Sequence, residues 1–262
     1  MSSFSTPEWF GICLTILIMG MSKGGLPISG VALPLLVLLW PEQGQAARSA
    51  VSFMLPLLCV MDIVGVILYR GKPDWSHIKK LLIPTIAGVI VASLFFVSDS
   101  GVSFSDRTLK LLIGLLGLAF TAWHLWGENL PKTPRNYTNN SRWRSSLYGF
   151  SGGFTSTVAH AAGPVMQMYF LPTGLKKTQF AATTVYFFLF LNAIKLIPFT
   201  LLGRFNREQL IANLWMLPII PIGVVIGYTI VRTMHEQYYK RFIYLALSLA
   251  SGSLVYNALT MN

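Results

Sequence analysis

Read for its hydrophobic pattern, the chain alternates long apolar blocks with short polar gaps. Two blocks are interrupted. In the first, 9–40, apolar runs 9–21 and 31–40 flank Ser22-Lys23-Gly24-Gly25-Leu26-Pro27-Ile28-Ser29-Gly30. Neither run alone reaches the roughly 20 apolar residues that a helix needs to cross a bilayer. The second, 147–172, is broken around 156–164. The remaining blocks, 46–69, 81–97, 108–126, 180–202, 210–231 and 242–260, each read as one span. The order is a broken segment followed by three spans, twice over, with a polar stretch rich in Pro, Asn and Ser at 127–146 between the copies. Gly30-Val31-Ala32-Leu33-Pro34 and Gly163-Pro164 fall at similar places, as do Gln45-Ala46-Ala47 and Phe180-Ala181-Ala182. The pattern predicts an all-α, polytopic transmembrane bundle of two inverted repeats, 1–126 and 147–262, joined by a cytoplasmic linker at 127–146.

Composition supports a membrane protein. Of 262 residues, 53% are hydrophobic and 11% charged, with mean hydropathy +0.59; a soluble domain is about a quarter charged. The net charge of +11 is read as cytoplasmic loop charge, not as a nucleic-acid footprint. No Lys or Arg precedes the first apolar run and no small-residue cleavage site follows it, so no cleaved signal peptide is expected. Cys13 and Cys59 fall inside apolar runs and are expected to be reduced packing residues. His77, His124, His160 and His235 lack ligand spacing, and no Walker loop is present. Neither a metal, nor ATP, nor any other cofactor is expected.

The basic residues discriminate between two topologies. If each broken segment crosses the membrane once, the loop charges divide 10 against 8. If each returns to the side it came from, Arg70, Lys72, Lys79, Lys80, Lys132, Arg135, Arg142, Arg144, Lys176, Lys177, Arg232, Lys240 and Arg241 share one side, 13 in all. Arg48, Arg107, Lys110, Arg204 and Arg207, 5 in all, share the other. The positive-inside rule selects the second arrangement. It places both termini outside and makes each break the bend of a hairpin, one entering from each face. The pattern leaves open whether the hairpins stop midway or cross fully and return.

Non-helical backbone at membrane depth is tolerated only in a protein interior or along a water-filled cavity. A helix that restarts there points free N–H groups and a positive dipole end into that cavity. The donors at the first break are the backbone of Ser29 and Gly30 and the Ser29 hydroxyl. Those at the second are the backbone of Ala161 and Ala162, with Thr155, Ser156, Thr157 and His160 nearby. Pro164 suits a first helical turn, where its missing N–H costs nothing. Lys23 sits at the first break, and Lys195 lies deep in span 180–202, one helical turn from Asn192. Asp62 is the intramembrane carboxylate set against these two lysines, so a bound anion would complete the balance. Blander readings stand beside this one. A lysine can snorkel to the interface, Lys23 can lie at the membrane surface, Asp62 can neutralise Lys195 as a structural pair, and glycines can mark close packing alone.

At these residues the chain resembles the TauE/SafE family of sulfite and organosulfonate exporters. The resemblance is carried by Met21-Ser22-Lys23-Gly24-Gly25 with Pro34, Gly149-Phe150, and the run Gly153-Phe154-Thr155-Ser156-Thr157-Val158-Ala159-His160-Ala161-Ala162-Gly163-Pro164. Phe180-Ala181-Ala182-Thr183-Thr184 and Asn192-Ala193-Ile194-Lys195 complete it. It implies a multi-pass transporter of the bacterial inner membrane, not an enzyme, whose partners are a small sulfur-containing anion and membrane lipid. No nucleic acid is expected, and a homodimer stays open. Where the family often has a run of glycines, this chain has Ala161-Ala162-Gly163-Pro164, which narrows the approach to the backbone. The expected substrate contacts are Lys23, Gly24, Gly25, Ser29, Gly30, Thr155, Ser156, His160, Ala161, Gly163, Asn192 and Lys195. Asp62 and His160 are the candidate coupling groups. The alternatives are a passive anion channel and an intramembrane hydrolase using Ser156 and His160 as nucleophile and base. The carrier reading requires the two bends to meet near mid-membrane.

Overall fold

The structure, a computed structural model, describes residues 6–26, 46–97, 142–170, 173 and 175–235, with positions scattered through 28–40, 107–122 and 238–260. Ser29 and Gly30, the linker stretch 127–141 and most of the spans expected at 108–126 and 242–260 lie outside the described residues. The described residues are helical and contain no strand. The continuous helices are α1 (Thr6–Lys23), α2 (Ala46–Leu68), α3 (Trp75–Val97), α4 (Arg142–Ala159), α5 (Ala162–Phe170), α6 (Lys177–Leu201), α7 (Arg207–Met216) and α8 (Ile219–Thr233).

Among the described residues three helices are long and apolar enough to cross a membrane, over Ser49–Leu68, Trp75–Leu94 and Lys177–Leu201, and the pair α7–α8 would make a fourth. Their outward faces are as apolar as their inward ones. On α3 a stripe of Ile83, Ile86, Ile90 and Leu94 is exposed at helical spacing. In water such a stripe would be an aggregation liability, whereas against lipid it is the required surface.

Two boundaries differ from the hydropathy reading. Helix α3 begins at Trp75, ahead of the apolar block at 81, because Asp74 caps it: Oδ1 accepts from the N–H groups of Ser76 (2.9 Å) and His77 (3.4 Å). The span expected at 210–231 is two helices bent by 53°. Pro218 lies at the bend and Pro221 in the following turn. Each removes a backbone donor and crowds the carbonyl four residues back.

Both broken segments double back. Tyr169, near the end of α5, lies beside the start of α4: its carbonyl accepts from Arg144 Nη2 at 2.9 Å, and its hydroxyl meets Ser145 Oγ at 3.0 Å. The Met166 side chain rests against Gly152 between them. In the first segment the Leu39 side chain lies against Gly11 near the start of α1. At 18 residues each, α1 and α4 are about 27 Å long, close to a bilayer core. The tip of the first hairpin reaches Tyr69, just past the end of α2, whose hydroxyl donates to the Gly24 carbonyl at 2.8 Å. The tip of the second reaches Val51, near the start of α2, whose carbonyl accepts from His160 Nε2 at 2.9 Å.

Packing crosses between the halves. Helix α1 lies on α8, α4 lies on α3, and α2 lies on α6 between these pairs. The first two contacts are glycine seams. Gly20 faces Gly223, and Gly24 and Gly227 abut the backbone of the facing helix. Gly88, Gly149 and Gly153 do the same between α3 and α4. Small residues let helix backbones approach where burial from lipid adds no driving force.

A methyl at Gly153 would collide with the Thr85 carbonyl, whereas at Gly252 it would meet nothing within 4 Å. Gly153→Ala is therefore expected to destabilise by about 1–3 kcal/mol and Gly252→Ala by less than about 0.5 kcal/mol. Thermal unfolding of the two variants in detergent measures the difference.

Candidate functional site

The two helix ends are built from the local sequence. Helix α1 stops in a Schellman motif: the N–H of Leu26 reaches the Met21 carbonyl (3.3 Å) and that of Gly25 the Ser22 carbonyl (3.0 Å). Gly25 takes φ +109°, which a glycine adopts without strain. Helix α4 stops at His160, with φ +48°, a left-handed conformation uncommon for a residue with a side chain. The Ala161 N–H turns back to the Thr155 carbonyl at 3.2 Å. Gly25 and His160 are separated by the same sequence offset as Gln45-Ala46-Ala47 and Phe180-Ala181-Ala182.

These stops leave a lysine at each helix end. Lys23 is 6% exposed, and its Nζ lies 2.8 Å from Asp62 Oδ1. The contact is an ion pair without hydrogen-bond alignment. The same ammonium sits 4.3 Å from the centre of the Phe188 ring, a cation–π contact. Asp62, fully buried, receives Asn192 Nδ2 on Oδ2 at 2.6 Å. One turn along α6, Lys195 is also fully buried. Its Nζ lies 2.8 Å from Ser156 Oγ, 3.1 Å from the Ser156 carbonyl and 2.7 Å from His160 Nδ1.

The histidine tautomer follows from its partners. A carbonyl only accepts, so Nε2 carries the proton given to Val51, and Nδ1 accepts from Lys195. The three N–H bonds of Lys195 are thus all used, and the ammonium closes the carbonyl end of α4, where the helix dipole favours a cation. The snorkelling reading of Lys195 fails on its burial, and Asp62 pairs with Lys23, not with Lys195. His160 spends both ring nitrogens away from the Ser156 hydroxyl, so the nucleophile–base pair is not formed.

A cavity lies among these groups, with about 660 Å³ of empty space when the open solvent at its mouth is counted. Lys23, Gly25, Ser156, His160, Gly163 and Asn192 of the expected residues line it. Gly24 instead packs on the backbone of α8, Thr155 turns its hydroxyl back to the Ser151 carbonyl (2.7 Å), and Lys195 stands behind Ser156 and His160. Ala161, partly buried, packs against the apolar core. The bends themselves do not meet as expected and are set apart along α2. Lys23 meets α2 at residue 62 and His160 meets it at residue 51, roughly 16 Å apart along that helix. They converge as side chains on one cavity, with Asp62 and Asn192 between them.

The expected contacts left out Ser22 and Thr184, though both stood in the motifs that carry the resemblance, and Gln167 and Phe188; all four also line the cavity. For Gln167 a signal existed: it lies one helical turn after Gly163, on the same face of a short helix that follows a break.

A sequence model of the sulfite exporter TauE/SafE family matches residues 12–254. The chain belongs to the TauE/SafE family. The match takes in both hairpins, α2, α6 and every cavity-lining residue. This is a family of membrane transporters for sulfite-type anions, and the apolar helices agree with a multi-pass membrane protein. Neither the curated proteins nor the solved structures gave a match.

Asp62→Asn leaves Lys23 buried without its counter-charge, a change that costs about 3–5 kcal/mol in buried pairs. The double variant Asp62→Asn/Lys23→Met is expected to recover part of that loss. A double-mutant cycle on thermal unfolding measures the coupling.

Proposed function

We propose that the protein is a secondary transporter that exports a small anion, sulfite or a small organosulfonate, by alternating access around the Lys23–Lys195 cavity. The observation that carries this reading is the charge balance at the site. Two lysines are buried there against one carboxylate, and residues from both hairpins line the space between them. An entering anion supplies the counter-charge that the protein withholds. It also meets the N-terminus of α5 at Gly163, where first-turn N–H groups have no helical partner.

Alternating access draws support from the crossed packing. Each hairpin helix leans on a helix of the other half, and the breaks fall at equivalent offsets. Two inverted repeats, 1–126 and 147–262, would rock about the α2–α6 contact, where Asn192 meets Asp62. The family resemblance implies a bacterial inner membrane, and the loop charges favour both termini outside. Lys195 would act by holding Ser156 and His160 and by setting the positive field at that end; an anion would draw Nζ from one of its three acceptors.

The test is uptake of radiolabelled sulfite by proteoliposomes. Lys195→Met is expected to lower the rate at least tenfold, since hydrogen bonds to charged groups contribute about 1.5–3 kcal/mol each. Wild-type rates in that variant would defeat the site. Counterflow, in which unlabelled sulfite inside accelerates entry of label, is expected of a carrier and absent from a passive channel.

A further inference from the structure

Gln167 lies on α5, one turn after Gly163, and both face the cavity. Its helix neighbours Val165, Met166, Tyr169 and Phe170 pack away into an apolar cluster. The Gln167 side chain is 8% exposed and has no hydrogen-bond partner among the described residues. Its amide atoms are not sealed among protein atoms but open onto the cavity. Leu or Met would fill the same space as packing, so the amide is placed for something that enters the cavity.

Its surroundings indicate what arrives. The Ser22 hydroxyl also lines the cavity without a partner, and Lys23 spends its ammonium on Asp62 and a ring face only. Lys195, by contrast, is saturated. The unspent donors among the described lining residues belong to Gln167, Ser22 and Lys23.

Resting on the anion reading above, we propose that Gln167 is a specificity-determining residue: its Nε2 donates to an oxygen of the bound anion while Lys23 supplies the charge. The N–H reads an acceptor oxygen and the adjoining Oε1 accepts from a protonated one, so the amide distinguishes among oxyanions where an ammonium responds to charge alone.

The test uses the full chain purified in detergent, with sodium sulfite and sodium methanesulfonate as probes in calorimetric titration and thermal unfolding. Gln167→Met is expected to weaken binding of at least one probe by about tenfold, the loss of one hydrogen bond to a charged partner, while the melting temperature stays level or rises. Gln167→Glu is expected to abolish binding by adding a second carboxylate. Gln167→Asn covers the case in which the Met variant fails to fold; it retains the amide one methylene short and weakens binding by a smaller factor. Wild-type affinity in the Met or Asn variant overturns the assignment and leaves the anion reading standing. Absence of binding of either probe to the wild type overturns both.

Discussion

The contact between Lys23 and Asp62 joins three helices at one point. Asp62 belongs to α2, takes the ammonium from the end of α1 on one oxygen, and takes the Asn192 amide of α6 on the other. A carboxylate removed from water needs such partners, because its desolvation is repaid only by close opposite charge and filled lone pairs. The position of the first hairpin tip follows. Helix α1 stops where Lys23 can reach Asp62, and Gly25 provides the left-handed turn that lets the chain leave at once.

The crossed packing explains an oddity of composition. Helix α4, with sequence RWRSSLYGFSGGFTSTVA, is the least apolar of the long membrane-depth segments by inspection. It can be so because it touches protein, not lipid, over much of its surface: α3 along the glycine seam, α5 on its return, and Lys195 at its end. Two of its hydroxyls are satisfied within the helix, Thr155 to Ser151 and Thr157 to Gly153, and Ser145 and Ser156 meet Tyr169 and Lys195. Helix α3 stands on the outside of that pair and presents the isoleucine stripe in its place.

Much of this was legible in the sequence. Apolar block lengths located α2, α3 and α6, since a bilayer sets a minimum that a soluble core does not. The glycines, the proline and the lysine in mid-block announced the first break. Arg70, Lys79, Lys176 and the other loop charges argued for segments that return, and the Arg144–Tyr169 and Gly11–Leu39 contacts follow that course. The bend between α7 and α8 was not seen, because Pro218 and Pro221 sit in a run that remains apolar throughout. At the site, residue type picked out Lys23, Asn192, His160 and Lys195, for which burial in a membrane needs a reason. It could not pair them: whether Asp62 meets Lys23 or Lys195 depends on how α1 and α6 rotate against α2. Gln167 escaped because a neutral amide in a membrane helix carries no such signal, and its isolation is visible only when every neighbour is known to be apolar or otherwise engaged.

The unequal treatment of the two lysines bears on how such a site could work. A site with two unpaired ammonium groups would hold an anion too strongly to release it, whereas one with both fully neutralised would not attract it. Transport requires binding favourable enough to admit the ion and weak enough to let it leave. Here Asp62 removes most of the charge of Lys23 while leaving part of its hydrogen-bonding capacity open. Lys195 has its Nζ committed to three acceptors of the hairpin tip. On the proposed reading, attraction and contact would be divided between two groups: the field of one lysine would draw the anion in, and the donors touching it would come from the other lysine and from neutral side chains beside it. Releasing Lys195 from Ser156 or His160 would join the two functions in one group and tighten the site. Those partners lie at the end of α4, so on the proposed reading such a release would loosen the hairpin tip and link occupancy of the cavity to the position of α4.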